Sequence, residues 1–294
     1  MHHNDEHNTV AVAPRKQSVS WAAGIAAVLA VVALFASSSS ARADAAQGKD
    51  SFAKPTIVLV HGAWAGPSSW DEVASRLQKD GYTVDVPVNP LRSLSGDSAY
   101  LASYLSSING PIVLVGHSYG GAVITNAATG NPNVKALVYV DAFIPDQGQS
   151  LVDLTVPGSC FYLQPQDFGT VFNFVPIPGA PPDDLDVYVK PDVFPGCFAN
   201  GLPPKEGAAL AAEQRPLTTE ALFEQSPGVP AWKTIPSWDV VGLADHVIPP
   251  AGQLAMANNA GATITEIDEA PHLSMISNPE TVTHVIEQAA KATS

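Results

Sequence analysis

Lysine and arginine are scarce in this chain of 294 residues: 14 of them stand against 28 aspartates and glutamates, a formal charge of −14. Gripping phosphates requires clustered cations, so this balance argues against nucleic acid as a partner. Cysteine is limited to Cys160 and Cys197, enough for one bridge at most. No internal repeat is visible, which sets aside solenoids and propellers. Charge of either sign is thin, at 14% of residues, while 46% are hydrophobic. That proportion is enough to bury a full core and suits one large domain carrying an insertion.

The first 43 residues read as an export signal and not as part of the fold. Arg15-Lys16 precedes an apolar stretch from Trp21 to Phe35, and Ala41-Arg42-Ala43 supplies a small-residue cleavage site before Asp44. An uncleaved anchor is the alternative, but the stretch is shorter than the roughly 20 residues of a membrane span. No stable membrane anchor is therefore expected after cleavage, and the mature chain is expected to be secreted or extracytoplasmic. Export to an oxidising compartment gives the cysteines a meaning: Cys160 and Cys197 are expected to pair, with two buried free thiols as the alternative.

From residue 56 the chain alternates between apolar runs of strand length and helical spacings. Thr56 to Val60, Tyr82 to Val86, Ile112 to Val115, Ala136 to Val140, Ser237 to Val241 and Ala262 to Ile267 read as strands. Between them Ser68 to Lys79, Ser98 to Ile108, Gly120 to Ala128, Pro250 to Asn258 and Pro279 to Ala290 read as helices, the first with Ser68 or Ser69 as its N-cap. Such alternation means an α/β fold, a doubly wound, mostly parallel six-stranded sheet covered on both faces. Residues 144 to 235 break the pattern, holding 14 of the 26 prolines and seven of the ten phenylalanines. A segment this long is not a structureless loop, so it reads as a cap inserted into a core made of residues 44 to 143 and 236 to 294. Its aromatic side chains would either line an apolar pocket or form the cap's own core.

Gly116-His117-Ser118-Tyr119-Gly120 follows a buried strand and precedes a helix. On such an elbow the central serine is strained and presented above the sheet edge, while its flanking glycines avoid collisions that a Cβ would cause. Ser118 is the candidate nucleophile. A serine hydroxyl needs a base, and His272, in a loop just beyond the last strand, is the histidine expected at the same edge. His117 is too near in sequence, His61 belongs to a turn after the first strand, His246 suits a solvated loop, and His284 suits a helix surface. The base needs a carboxylate to fix its tautomer. Asp245 sits just past the fifth strand and gives the order Ser118, Asp245, His272; Asp141, just after the fourth, is the second candidate. Oxyanion donors would be the backbone N–H groups of Tyr119 and Ala63, unless His61-Gly62 is no more than a strand-ending turn.

Together Val60-His61-Gly62-Ala63-Trp64, Gly116-His117-Ser118-Tyr119-Gly120-Gly121, Asp245-His246-Val247-Ile248-Pro249-Pro250 and Pro271-His272 resemble the α/β-hydrolase superfamily. The nearest likeness is to small bacterial serine esterases related to plant methyl esterases and hydroxynitrile lyases. The resemblance implies the doubly wound sheet, a Ser118-Asp245-His272 triad and an Ala63/Tyr119 oxyanion hole; no metal and no cofactor are expected. Ser118 stands where dehalogenase-like members carry aspartate, and Leu273 where the lyases carry lysine. Hydrolysis of a small to medium apolar or aromatic ester through an acyl-enzyme is the function expected. Cofactor-free perhydrolases share the same triad, and a non-catalytic binding scaffold is the rival from another class.

Overall fold

The structure, a computed structural model, describes residues 54–294. The expected export signal, residues 1 to 43, lies outside the described residues. The first half of the chain runs β1 (Thr56–Val60), α1 (Asp71–Lys79), β2 (Val84–Asp85), α2 (Leu94–Ser106), β3 (Ile112–His117), α3 (Tyr119–Ala127) and β4 (Val134–Val140). The segment that follows contains α4 (Leu151–Leu154), α5 (Phe168–Val171), β5 (Phe172–Pro176), β6 (Leu185–Val189), α6 (Pro204–Glu213), β7 (Leu217–Thr218) and α7 (Thr219–Phe223). Regular alternation then resumes with β8 (Ser237–Gly242), α8 (Pro250–Ala260), β9 (Thr263–Ile267), α9 (Ser274–Ser277) and α10 (Pro279–Ala292).

Six strands form one sheet in the order β2-β1-β3-β4-β8-β9, and every pairing in it is parallel. Ile57, Val58 and Leu59 of β1 and Ile112 to Val115 of β3 are wholly buried, as continuous apolar strands sandwiched between helices must be. The chain moves one way from β1 to β2 and the other way from β2 to β3. Right-handed crossovers therefore place α1 on one face and α2, α3 and α8 on the other, with α10 packed beside α1 and α2 beside α3. The reversal leaves a crevice at the carboxyl ends of β1 and β3, where open α/β sheets hold their ligands.

Two local expectations are corrected. Neither Ser68 nor Ser69 caps α1, because a 3-10 turn over Pro67–Trp70 leads into it and the Ser69 hydroxyl donates back to the Gly66 carbonyl at 2.7 Å. Helix α2 begins four residues before the expected start, since the Ser93 side chain accepts from the Gly96 N–H at 3.1 Å and caps it there. Between β4 and β8 the strands β5, β6 and β7 form their own antiparallel sheet, which the proline-rich sequence did not announce. We call this segment the cap.

Candidate active site

Ser118 sits between β3 and α3 with φ 53° and ψ −124°, a left-handed strained backbone for a residue with a Cβ. The elbow is possible because of its glycines. A Cβ on Gly116 would lie 2.6 Å from the Gly120 carbonyl oxygen, and one on Gly120 would lie 2.6 Å from that of Val60. Ser118 is only 2% exposed, its side chain makes no capping bond to α3, and it forms part of a cavity wall.

The residues after β8 and β9 supply a buried acid and imidazole. His272 Nδ1 donates to Asp245 Oδ2 at 2.8 Å, and both side chains are shielded from solvent. Asp245 also accepts from the N–H groups of Val247 (2.7 Å) and Ile248 (2.9 Å) and from Gln253 Nε2 (2.8 Å). Burial lowers the His272 pKa from 6.5 to about 3, so the ring is neutral, with its proton on Nδ1. Its Nε2 has no hydrogen-bond partner among the described residues. At Asp245 burial prevails and raises its pKa from 3.8 to about 8, while Val247, Ile248 and Gln253 donate to the carboxyl and oppose that rise. Ser118 and His272 are not hydrogen-bonded to each other. Asp141, the second candidate acid, instead accepts from the N–H groups of Gly242 (2.9 Å) and Ser274 (3.1 Å), tying together the loops that carry Asp245 and His272.

His117 has a role that its position beside Ser118 did not reveal: Nε2 donates to the His272 carbonyl at 3.0 Å, and the two rings lie 4.8 Å apart. The Ser118 elbow and the His272 loop are thus tied to one another. Burial holds His117 well below 6.5 and hence neutral.

The loop after β1 approaches the elbow so closely that a Cβ on Gly62 would lie 2.6 Å from that of Ser118. Ala63 and Tyr119 line the same cavity as Ser118. Tyr119 opens α3, where the first N–H has no preceding turn to accept it, and its hydroxyl is anchored to buried Asp97 at 2.8 Å. His61 is buried in the turn, donating from Nδ1 to the Gly62 carbonyl (2.9 Å) and accepting at Nε2 from the Asn89 N–H (3.1 Å) and Arg215 Nη1 (3.2 Å). Burial and the Arg215 charge lower its pKa to about 4, which keeps it an acceptor. Trp64, at φ 54°, is fixed to the cap twice: its N–H donates to Arg215 O and its indole to Val187 O, at 2.9 and 2.8 Å.

The cavity over Ser118 has a volume of about 160 Å³ and walls of Trp64, Phe143, Phe161, Phe172, Val187 and Leu217, among others. No charged side chain among the described residues lines it. Both expected uses of the cap's aromatics occur: Phe161, Phe168, Phe172, Phe174 and Phe223 face the cavity, whereas Phe194 and Phe198 are buried in the cap. Cys160 and Cys197 are joined in a disulfide, Cα atoms 5.9 Å apart. His246 and His284 are exposed. Among the described residues no three His, Cys, Asp or Glu side chains group so as to hold a metal ion, and no helix is long and apolar enough to cross a membrane.

A parallel sheet with a strained serine at its switch point and a buried Asp-His pair beyond later strands is the architecture of an α/β hydrolase. The chain belongs to the alpha/beta hydrolase family, whose profile matches residues 57–285. It is 40% identical over 111 residues to a carbendazim hydrolyzing esterase of a Nocardioides species, a match covering 33% of this chain and 46% of that one. The chain thus spans less than half the length of that relative. A pyrethroid hydrolase of Sphingobium wenxiniae is 27% identical over 259 residues, covering 80% of this chain and 88% of the other. Among solved structures, an extracellular alpha/beta-hydrolase from a Paenibacillus species superposes with a TM-score of 0.64 at 23% identity, over 80% of this chain and 98% of that one.

Proposed function

We propose that this protein is an exported serine esterase working through an acyl-enzyme. Ser118 attacks the ester carbonyl, His272 Nε2 takes the hydroxyl proton and returns it to the departing alcohol, and Asp245 holds the imidazole in the Nδ1–H tautomer. Water then repeats the sequence on the acyl group. The backbone N–H groups of Ala63 and Tyr119 receive the negative charge of the tetrahedral intermediate, at a helix start whose dipole favours it. The observation carrying this reading is the buried Asp245–His272 bond at 2.8 Å, which leaves Nε2 unpartnered in a loop that His117, the neighbour of Ser118, holds in place. The serine-to-imidazole bond commonly tightens only in the Michaelis complex.

The substrate class follows from the cavity. Its aromatic and aliphatic walls, without a charged group, favour uncharged apolar or aryl esters over charged ones, since a buried charge would have no partner there. Relatives named for hydrolysing carbendazim and pyrethroids support esterase chemistry. An oxidising destination is supported by the Cys160–Cys197 bridge. One experiment tests both chemistry and class: initial rates on a series of p-nitrophenyl esters of rising acyl length and on a carboxylate-bearing analogue, for wild type and Ser118→Ala. The expected result is selection for an uncharged apolar acyl group in wild type and loss of all activity in the variant. Undiminished hydrolysis by Ser118→Ala would refute the nucleophile, and equal rates across the series would refute the pocket.

A further inference from the structure

The loop bearing Asp245 is held by the cap from two sides, and the two sides are joined by the disulfide. On one side the Ser159 hydroxyl donates to the Val247 carbonyl at 2.6 Å and the Cys160 N–H donates to the His246 carbonyl at 2.8 Å. On the other, Asn200 Nδ2 donates to the Ala244 carbonyl at 2.7 Å, and His246 Nδ1 donates to the Gly196 carbonyl at 3.3 Å. Ala244, His246 and Val247 are the residues flanking Asp245, and each of their carbonyls is occupied by a cap donor. The gripping segments, residues 159–160 and 196–200, lie in neither helix nor strand, so regular hydrogen-bonding does not fix one against the other. The Cys160–Cys197 bond does, across a sequence separation of 37.

The neighbours of the two cysteines extend the same frame to the rest of the site. Phe198 packs edge-to-face on the His272 ring, with centroids 5.1 Å apart. Phe161 lines the cavity and meets Trp64 of the oxyanion loop at 5.0 Å. We propose that the Cys160–Cys197 bridge is a positioning element of the catalytic site: it closes a clamp on the Asp245 loop and seats Phe198 on His272, fixing the acid–base pair. This rests on the reading of Asp245 and His272 given under Proposed function. A bridge that only stapled the cap would leave the acid loop unaffected by its loss.

The test compares kcat and KM for a p-nitrophenyl ester in wild type and in C160A/C197A, at a temperature where circular dichroism shows the variant folded. Misplacing reacting groups by about an ångström costs up to about a hundredfold. The expected result is a fall in kcat of about ten- to a hundredfold with KM changed far less. Unchanged kcat with only a lower melting temperature would overturn the proposal. Asn200→Ala, which keeps the bridge and removes one hold on the loop, should lower kcat in the same direction by a smaller factor. Should the double variant not fold, this variant decides, and wild-type kcat in it would overturn the clamp. A failure of the underlying esterase reading is separately visible, because wild type would then show no Ser118-dependent hydrolysis before any cysteine variant is compared.

Discussion

At Asp245 three donors and the His272 imidazole meet one buried carboxyl group, and Nδ1 is the imidazole nitrogen that faces it. Two backbone N–H groups and Gln253 hold the acid, so its bond to Nδ1 leaves Nε2 as the free acceptor. Because burial lowers the His272 pKa from 6.5 to about 3, this imidazole stays unprotonated well into the acid range. The acid limb of kcat/KM should therefore bend below pH 6.5, the value of an unburied imidazole. A pH–rate profile checks this, and a limb at or above that value would contradict a buried neutral base. The same shift has a stability consequence of definite sign. The unfolded chain binds a proton at 6.5 that the folded one refuses until about 3, so this residue's contribution is full above 6.5 and is lost as pH falls between the two. That Ser118, Asp245 and His272 lie beyond strand ends was readable from sequence, because each follows a recognisable strand. The places of Gln253, Asn89 and Arg215 were not, since Arg215 meets His61 across 154 residues and from a segment without periodicity.

Among the elements, the elbow between β3 and α3 depends on a close approach of backbone to backbone. Replacing Gly120 by alanine would put a Cβ 2.6 Å from the Val60 carbonyl oxygen, an atom of the central sheet that cannot swing aside. Overpacking at such a place costs about 1–3 kcal/mol. A urea unfolding curve of Gly120→Ala should show a loss in that range together with reduced activity; wild-type stability would mean that the elbow is looser than its geometry. Strands β1 and β3 were legible because each carries a continuous apolar run, the mark of a strand covered on both faces. The cap's sheet was not. Four of the five residues of β5 are exposed, it ends in Pro176, and β7 has two residues, so neither carries a run or an alternation long enough to read. Leu185-Asp186-Val187-Tyr188-Val189 does alternate, with Val187 and Val189 buried, but it stands among prolines that mask it. Helix α2 was legible in kind and misplaced in start, because its cap is set by Ser93 and not by where the apolar spacing begins.

For the whole molecule, fold and site meet at the reversal of strand order. The loop after β1 and the elbow after β3 flank that crevice, and the loops after β8 and β9 reach the same edge because all six strands are parallel. The cap covers it with aromatic side chains and, through Arg215, Val187 and Asn200, takes hold of the loops that carry Trp64 and Asp245. The central claim is that this arrangement makes one serine hydroxyl reactive. Labelling the purified protein with a serine-directed fluorophosphonate and mapping the adduct by peptide mass spectrometry tests it most directly. A single adduct is expected on the peptide containing Ser118, formed slowly or not at all in His272→Ala. Absence of any adduct, or an adduct on another residue with Ser118 unmodified, would contradict it.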